Sequence, residues 1–138
     1  MRYLDTSFIL PLFVQEPNSE HVSNSLQSVL HKELAISSWV KVEFSSALAR
    51  RVRMKEISDE FAKSVLQRFS SVIRHYQLID PSTADFELAT ELLQNFHSGL
   101  RAGDALHLGI VLNRRATLYT LDVKFANVAM SLGVSVKT

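Results

Sequence analysis

Four acidic residues that are far apart in the sequence each lie near the end of a predicted strand or the start of a predicted helix. They are Asp5, Glu43, Asp104 and Asp122. In open parallel sheets, ligands bind beyond the carboxyl ends of the strands, so all four side chains could face one cleft. Four carboxylates in one cleft repel one another strongly unless a cation neutralises them. The sequence therefore predicts a cation site that is built from carboxylates.

The residue types indicate which cation such a site would bind. The chain contains no cysteine, and apart from His107 its histidines show no ligand spacing. Oxygen ligands without thiolates or a histidine cluster select Mg2+ or Mn2+ rather than Zn2+. Mg2+ keeps several waters and favours phosphate ligands, so the acids indicate phosphodiester chemistry. A bound metal would activate a water molecule, and a second ion would stabilise the leaving oxygen.

His107 lies one turn after Asp104 along a predicted helix. This spacing would allow both side chains to bind one metal ion. Hard cations favour oxygen ligands, however, so the preferred interpretation of His107 is packing or a hydrogen bond at the helix surface.

Each acid also has a structural interpretation that requires no metal. Asp5, Asp104 and Asp122 stand at predicted helix starts, where aspartate is a favoured N-cap. Glu43 lies one turn into its helix, a position at which a solvated glutamate is common. The shared location of the four acids at one sheet edge favours a site, but spacing alone leaves the N-cap interpretation open.

The elements that would position these acids are short apolar runs that alternate with stretches of helical periodicity. The runs lack polar alternation, as expected for strands buried on both faces of a parallel sheet. The predicted strands are Arg2–Leu4, Leu34–Ser37, Gln77–Ile79, Thr117–Thr120 and Val134–Val136. This alternation predicts an α/β fold, a three-layer α/β/α sandwich with a central parallel sheet of about five short strands.

The predicted helices carry recognisable start signals. Ser19 and Ser58 are candidate N-caps, and Ser82 with Asp85 has the spacing of a capping box. The stretch Asp104–Asn113 is apolar almost all round, so its helix is expected to be central. We find no repeat or linker, and we expect residues 1–138 to form a single domain.

The composition is typical of a soluble globular protein, with 46% hydrophobic and 21% charged residues. The 15 Lys and Arg residues nearly balance the 14 acids, so net charge does not indicate a polyanionic partner. A nucleic acid would have to be held by a local basic patch or through metal ions. Without a signal peptide or a long apolar run, a cytoplasmic protein with no membrane partner is expected.

Several basic residues are candidates for contact with phosphates. A dense basic run occupies residues 50–55, although lysines and arginines at a helix C-terminus also favour the helix dipole. The candidates are Arg101, Arg51, Arg53 and Lys124. Trp39 and Phe44 could line a groove for a partner, but core packing is the default interpretation.

The four acids lie within sequence blocks that resemble a known family. The blocks are Leu4-Asp5-Thr6-Ser7, Val42-Glu43-Phe44 with Ala47-Leu48, Arg101-Ala102-Gly103-Asp104-Ala105-Leu106-His107-Leu108, and Leu118-Tyr119-Thr120-Leu121-Asp122 with Lys124-Phe125. In order and spacing they resemble PIN domains, and more closely the VapC-type toxins of bacterial toxin–antitoxin pairs. The resemblance covers essentially the whole chain, and the four blocks in order are specific although each alone is weak.

The resemblance implies a PIN fold and a Mg2+- or Mn2+-dependent endoribonuclease that is the toxin of a toxin–antitoxin pair. It assigns catalytic metal binding to the four acids, none of which departs from the family pattern. It matches Ser7 and Thr120 to positions that orient those acids or the water on the metal. It further implies an RNA substrate, a homodimer and a neutralising antitoxin.

The main alternative is a PIN-like RNA- or protein-binding module with little or no nuclease activity, against which the intact acids argue. A receiver domain would need adjacent acids after the first strand. A haloacid-dehalogenase-like phosphatase would need a second aspartate at position 7, where this chain has Ser7. A dinucleotide-binding enzyme needs a glycine fingerprint, which four scattered glycines do not supply.

Overall fold

The computed structural model describes residues 1–138 and contains five short strands and seven α-helices. The strands are β1 (Arg2–Leu4), β2 (Leu34–Ser37), β3 (Gln77–Ile79), β4 (Thr117–Tyr119) and β5 (Val136–Lys137). The helices are α1 (Thr6–Ile9), α2 (Ser19–Leu26), α3 (Ser38–Arg53), α4 (Asp59–Ile73), α5 (Thr83–Leu93), α6 (Ala102–Arg114) and α7 (Val123–Ser131). The predicted alternation of strands and helices is therefore confirmed.

The strands form one parallel sheet in the order β3-β2-β1-β4-β5. All four residues of β2 are buried. Successive strand residues point to opposite faces, so full burial means that helices cover both faces of the sheet. Strands β2 and β3 lie on one side of β1, and β4 and β5 lie on its other side. The strand order therefore reverses between β1 and β4, which is where open α/β sheets bind ligands.

Two predicted strands differ from the structure in their bounds. The strand predicted to reach Thr120 ends at Tyr119, and the last strand is Val136–Lys137 rather than Val134–Val136. Gly133 adopts a positive φ of 81° after α7, and the Val134 N–H then donates to the Ala129 carbonyl. Val134 therefore closes the C-terminus of a helix and is not available to the sheet.

The helix starts were mostly predicted correctly. Ser58 accepts a hydrogen bond from the Phe61 N–H, and Ser82 forms a capping box with Asp85. Ser19 is not an N-cap, because α2 begins at Ser19 itself and Asn18 occupies the capping position without a side-chain hydrogen bond. The Ser19 hydroxyl instead accepts from the Glu16 N–H in the preceding turn.

Helix α6 is central, as predicted, and residues 105–111 are all buried. It packs so closely against α5 that a Cβ at Gly109 would lie 2.4 Å from the Asp85 carbonyl oxygen. Only glycine permits this close approach of two backbones. No helix combines the length and the hydropathy that are needed to cross a bilayer.

The hydrophobic core contains 29 buried residues in one cluster. Phe44 is fully buried and stacks on Phe69 with ring centroids 3.9 Å apart, while the ring of Phe13 lies nearly perpendicular to both. Phe44 therefore packs in the core, as the default interpretation predicted. Its burial anchors α3 and thereby positions the neighbouring residue Glu43.

Candidate active site

Asp5 follows β1 directly and is only 4% exposed. Its Oδ1 accepts hydrogen bonds from the Phe8 N–H at 3.0 Å and the Ser7 hydroxyl at 2.7 Å. Its Oδ2 accepts from the Thr120 hydroxyl at 2.6 Å. Burial raises the pKa of Asp5, and these donors oppose that rise by stabilising the charged form. Asp5 is thus the N-cap of α1 and also a buried carboxylate at the switch point of the sheet.

The hydroxyls of Ser7 and Thr120 join the ends of β1 and β4. Each donates to Asp5 and each also accepts a backbone N–H, Ser7 from Leu121 at 2.9 Å and Thr120 from Asp122 at 3.1 Å. The two hydroxyls therefore hold the segment that leads into Asp122 against the carboxylate of Asp5.

Asp122 is the N-cap of α7, where its Oδ1 accepts from the Phe125 N–H at 3.0 Å. The N-cap interpretation is therefore confirmed for this residue. Asp122 is exposed, and its second oxygen has no protein partner. One carboxylate oxygen thus stabilises the helix while the other is free for a ligand.

Glu43 lies in the second turn of α3 with its side chain 29% exposed, so it is not the solvated helix residue of the structural interpretation. Its Oε1 accepts from the Thr6 hydroxyl at 2.9 Å and lies 2.5 Å from His107 Nε2. Its Oε2 has no hydrogen-bond partner, since both hydrogen bonds of this carboxylate involve Oε1.

Asp104 is the third residue of α6, and Arg101 occupies the capping position of that helix. The N-cap interpretation is therefore wrong for Asp104, although the acid still lies in the positive first turn of the helix. Its carboxylate forms no hydrogen bond within the protein. Burial raises the pKa of Asp104, and the negative charges of the other three acids, Asp122, Asp5 and Glu43, raise it further. The four predicted acids therefore interact electrostatically at one place.

The donor set of this place fits a hard cation chemically. The free carboxylate oxygens belong to Asp104, Asp122 and Glu43, and the repulsion among them is what a cation would relieve. In this structure, no three Asp, Glu or His side chains converge closely enough to hold a metal ion. Metal binding by these residues therefore stays a prediction.

The prediction that His107 packs or forms a hydrogen bond is confirmed, but the predicted place at the helix surface is wrong, because the residue is only 2% exposed. Its two ring nitrogens contact Glu43 Oε1 and the Tyr3 hydroxyl, the latter at 2.7 Å from Nδ1. Sequence reasoning also missed Thr6 as a partner of Glu43. The spacing of His107 from Asp104 and the position of Thr6 beside Asp5 were the available signals.

The predicted phosphate contacts occupy different environments. Arg101 and Lys124 are exposed and lie within three residues of Asp104 and Asp122. Arg51 is half-buried in an ion pair with Glu16. Arg53 is exposed but lies ten residues beyond Glu43, which is about 15 Å along a helix axis. Contact of these residues with RNA stays a prediction.

An apolar cleft of about 630 Å³ opens beside the acids, between α3, α5 and α6. Gly103 lies between the cleft and the acids. A Cβ at this position would lie 3.4 Å from the Trp39 ring, which lines the cleft, and 3.5 Å from Glu43 Oε2. Trp39 is only partly buried, and its indole N–H has no partner. The exposed side chains Val42 and Phe86 also line the cleft.

The fold resembles several solved structures over nearly its whole length. FitAcB from Neisseria gonorrhoeae gives a TM-score of 0.81 at 17% identity, covering 100% of this chain and 97% of that one. VapC20 from Mycobacterium tuberculosis, described as a toxin that cleaves the sarcin-ricin loop, gives 0.73 at 19% identity with 92% and 94% covered. VapBC2 from Rickettsia felis, solved with a DNA fragment from its promoter, gives 0.70 at 25% identity with 99% and 98% covered.

A comparison with curated protein sequences gives no significant match. The family model for the PIN domain, in contrast, matches residues 2–130. That span includes the whole sheet except β5 and all four acids of the candidate site. The chain therefore belongs to the PIN domain family.

Proposed function

We propose that the chain is a Mg2+- or Mn2+-dependent endoribonuclease that hydrolyses RNA phosphodiesters with Asp5, Glu43, Asp104 and Asp122. The observation that carries this proposal is the environment of the Asp104 carboxylate. This carboxylate is partly buried, has no hydrogen-bond donor, and its pKa is raised by burial and by three neighbouring acids. An enzyme site tolerates such repulsion when a cation binds there. Membership of the PIN domain family supports the same function.

The four acids would have different roles in binding the metal. Asp104, Asp122 through its free oxygen and Glu43 through Oε2 would contact the cation directly. Asp5 lies at the centre of the site, where Ser7 and Thr120 donate hydrogen bonds to its two oxygens. When bound, the metal lowers the pKa of a coordinated water and stabilises negative charge on the phosphate. Arg101 and Lys124 are exposed next to the acids and would contact flanking phosphates.

We expect cleavage to depend wholly on the divalent ion. Purified chain, free of any antitoxin, should cut total RNA in Mg2+ or Mn2+, and cutting should fall to background in EDTA and return when the ion is restored. Fragment formation on a denaturing gel measures this. Undiminished cutting in EDTA would contradict the mechanism. Mn2+ and RNA binding without cutting would favour a PIN-like binding module instead.

We further propose that the chain is the toxin of a toxin–antitoxin pair and that an antitoxin protein inhibits it. The supporting observation is its likeness to VapC20, which is described as a toxin, and to VapBC2. We expect the chain alone to arrest bacterial growth and co-expression with its cognate antitoxin to restore growth. Growth arrest that persists with a bound antitoxin present would contradict this assignment.

A homodimer through the apolar cleft also belongs to the proposal. Phe86 is 53% exposed in this cleft, and exposed apolar patches of this kind mark interaction sites. We expect Phe86→Glu to convert the dimer to a monomer, measured by light scattering after size-exclusion chromatography. Phe96→Glu is the matched control, because Phe96 is 87% exposed but lies outside the cleft. Equal masses for both variants and the original chain would contradict this interface.

A further inference from the structure

A buried chain of side-chain hydrogen bonds leads from β2 to Glu43. Ser37 Oγ lies 2.7 Å from the Tyr3 hydroxyl, which lies 2.7 Å from His107 Nδ1. His107 Nε2 then lies 2.5 Å from Glu43 Oε1. Ser37 and Tyr3 are fully buried and His107 is 2% exposed, so water does not compete for these groups. We call these four residues the relay.

The hydrogen-bond partners determine the direction of the relay. Ser37 Oγ accepts the Val40 N–H at 3.2 Å, and the Tyr3 hydroxyl is its only other hydrogen-bond partner, so the Ser37 proton is donated to the Tyr3 oxygen. A tyrosine hydroxyl is protonated at neutral pH, and since the Tyr3 oxygen accepts from Ser37, its proton is donated to His107 Nδ1. With Nδ1 accepting, the hydrogen of the imidazole ring is on Nε2, which donates to Glu43 Oε1.

The relay also connects the elements that carry three of the four acids. Tyr3 is in β1, two residues before Asp5. Ser37 is the N-cap of α3, which carries Glu43, and His107 is in α6 one turn after Asp104. A displacement of any one element would break a buried hydrogen bond, so the relay holds these elements in a fixed relation.

We propose that His107 is a positioning residue, which the relay orients so that Nε2 holds Glu43 Oε1 and leaves Oε2 free for the cation. This inference rests on the proposed function, because it takes Glu43 as a metal ligand. A donor that fixes a ligating carboxylate reduces the rearrangement needed on metal binding. Thr6 donates to the same Oε1 and reinforces this orientation.

Matched substitutions of His107 test the proposal through the affinity for Mn2+ alone. The amide nitrogen of His107→Gln reaches the position of Nε2, whereas that of His107→Asn ends near the position of Nδ1 and does not reach Glu43. We expect His107→Gln to keep the Kd for Mn2+ within about threefold and His107→Asn to raise it about 10- to 100-fold. Isothermal titration calorimetry measures both, and His97→Asn at an exposed position is the control.

A second measurement does not depend on metal or on activity. Long-range 1H–15N NMR spectra of the metal-free chain should show His107 protonated at Nε2 and unprotonated at Nδ1. Tyr3→Phe removes the donor to Nδ1, and we expect the Nδ1 signal to shift in the spectrum of that variant. A proton on Nδ1 alone in the original chain would overturn the relay.

The two measurements separate the possible failures. Equal Kd values for folded His107→Gln and His107→Asn would overturn the positioning role while leaving the proposed nuclease intact. If the original chain binds no Mn2+ but His107 has the expected tautomer, the proposed function fails and the relay stands as a structural feature. Melting temperatures in EDTA confirm that each variant is folded.

Discussion

Asp104→Asn is expected to reduce RNA cleavage by about 100-fold or more while the fold persists. The carboxylate lies at the head of α6 with no protein partner, so its loss removes one charge from the metal site and no structural hydrogen bond. A loss of about 3 kcal/mol of transition-state stabilisation corresponds to this factor. Initial rates of cleavage of a labelled RNA measure it, with Asp59→Asn, an exposed acid at the start of α4, as the control.

The same substitution should make the metal-free protein more stable at neutral pH. The pKa of Asp104 is raised in the folded state, so its ionised form opposes folding, and this cost disappears as the pH falls through the raised pKa. Asparagine removes the cost at every pH, so the variant should melt a few degrees higher than the original chain in EDTA. Added Mg2+ should then stabilise the original chain more than the variant. A lower melting temperature for folded Asp104→Asn, or unchanged cleavage, would contradict this role.

Asp85→Ala is expected to have the largest effect on stability, about 3 kcal/mol in the free energy of unfolding. Asp85 is fully buried and accepts hydrogen bonds from Asn113, Arg114 and the Ser82 N–H, each at 2.8 Å. Alanine leaves the guanidinium and amide donors of α6 without their acceptor. Urea denaturation measures the loss, and Glu87→Ala, at an exposed position of the same helix, should change stability little.

The contribution of Asp85 should also depend on pH. Burial alone would raise the pKa of Asp85, but hydrogen bonds from Arg114, Asn113 and Ser82 lower it to about 2. A lowered pKa means that the stabilisation is complete above the ordinary value of 3.8 and is lost as the pH falls towards 2. The stability advantage over Asp85→Asn should therefore narrow across this range. An advantage that is constant from neutral pH to pH 2 would show that the charge of Asp85 is not responsible.

Much of the fold could be predicted because the signals are local. The short, mainly apolar runs of β1 and β2 and the capping serines of α4 and α5 are signals that each lie within or directly beside one element. The parallel sheet and the central α6 followed from such signals. The predicted start of the last strand was wrong because Val134 donates its N–H to the Ala129 carbonyl at the end of α7 and does not pair in the sheet.

The candidate site was predictable in its residue types but not in its contacts. Asp5 and Asp122 are each an N-cap and also part of the candidate site. The N-cap interpretation and the site interpretation therefore do not exclude each other. The N-cap interpretation failed for Asp104 because α6 begins two residues earlier than the acid. Sequence periodicity locates a helix end only to within a few residues.

The sequence by itself determined that four acids stand near strand ends and helix starts, and their chemistry pointed to a hard cation. Only the tertiary structure decided how these acids are held. The partners of Glu43 are Thr6 and His107, which lie 37 and 64 residues away in the chain. Such contacts depend on the reversal of strand order between β1 and β4 and on the packing of α6 between its neighbours. The periodicity of a single element cannot predict these contacts, because they form only when elements that are distant in sequence pack into one core.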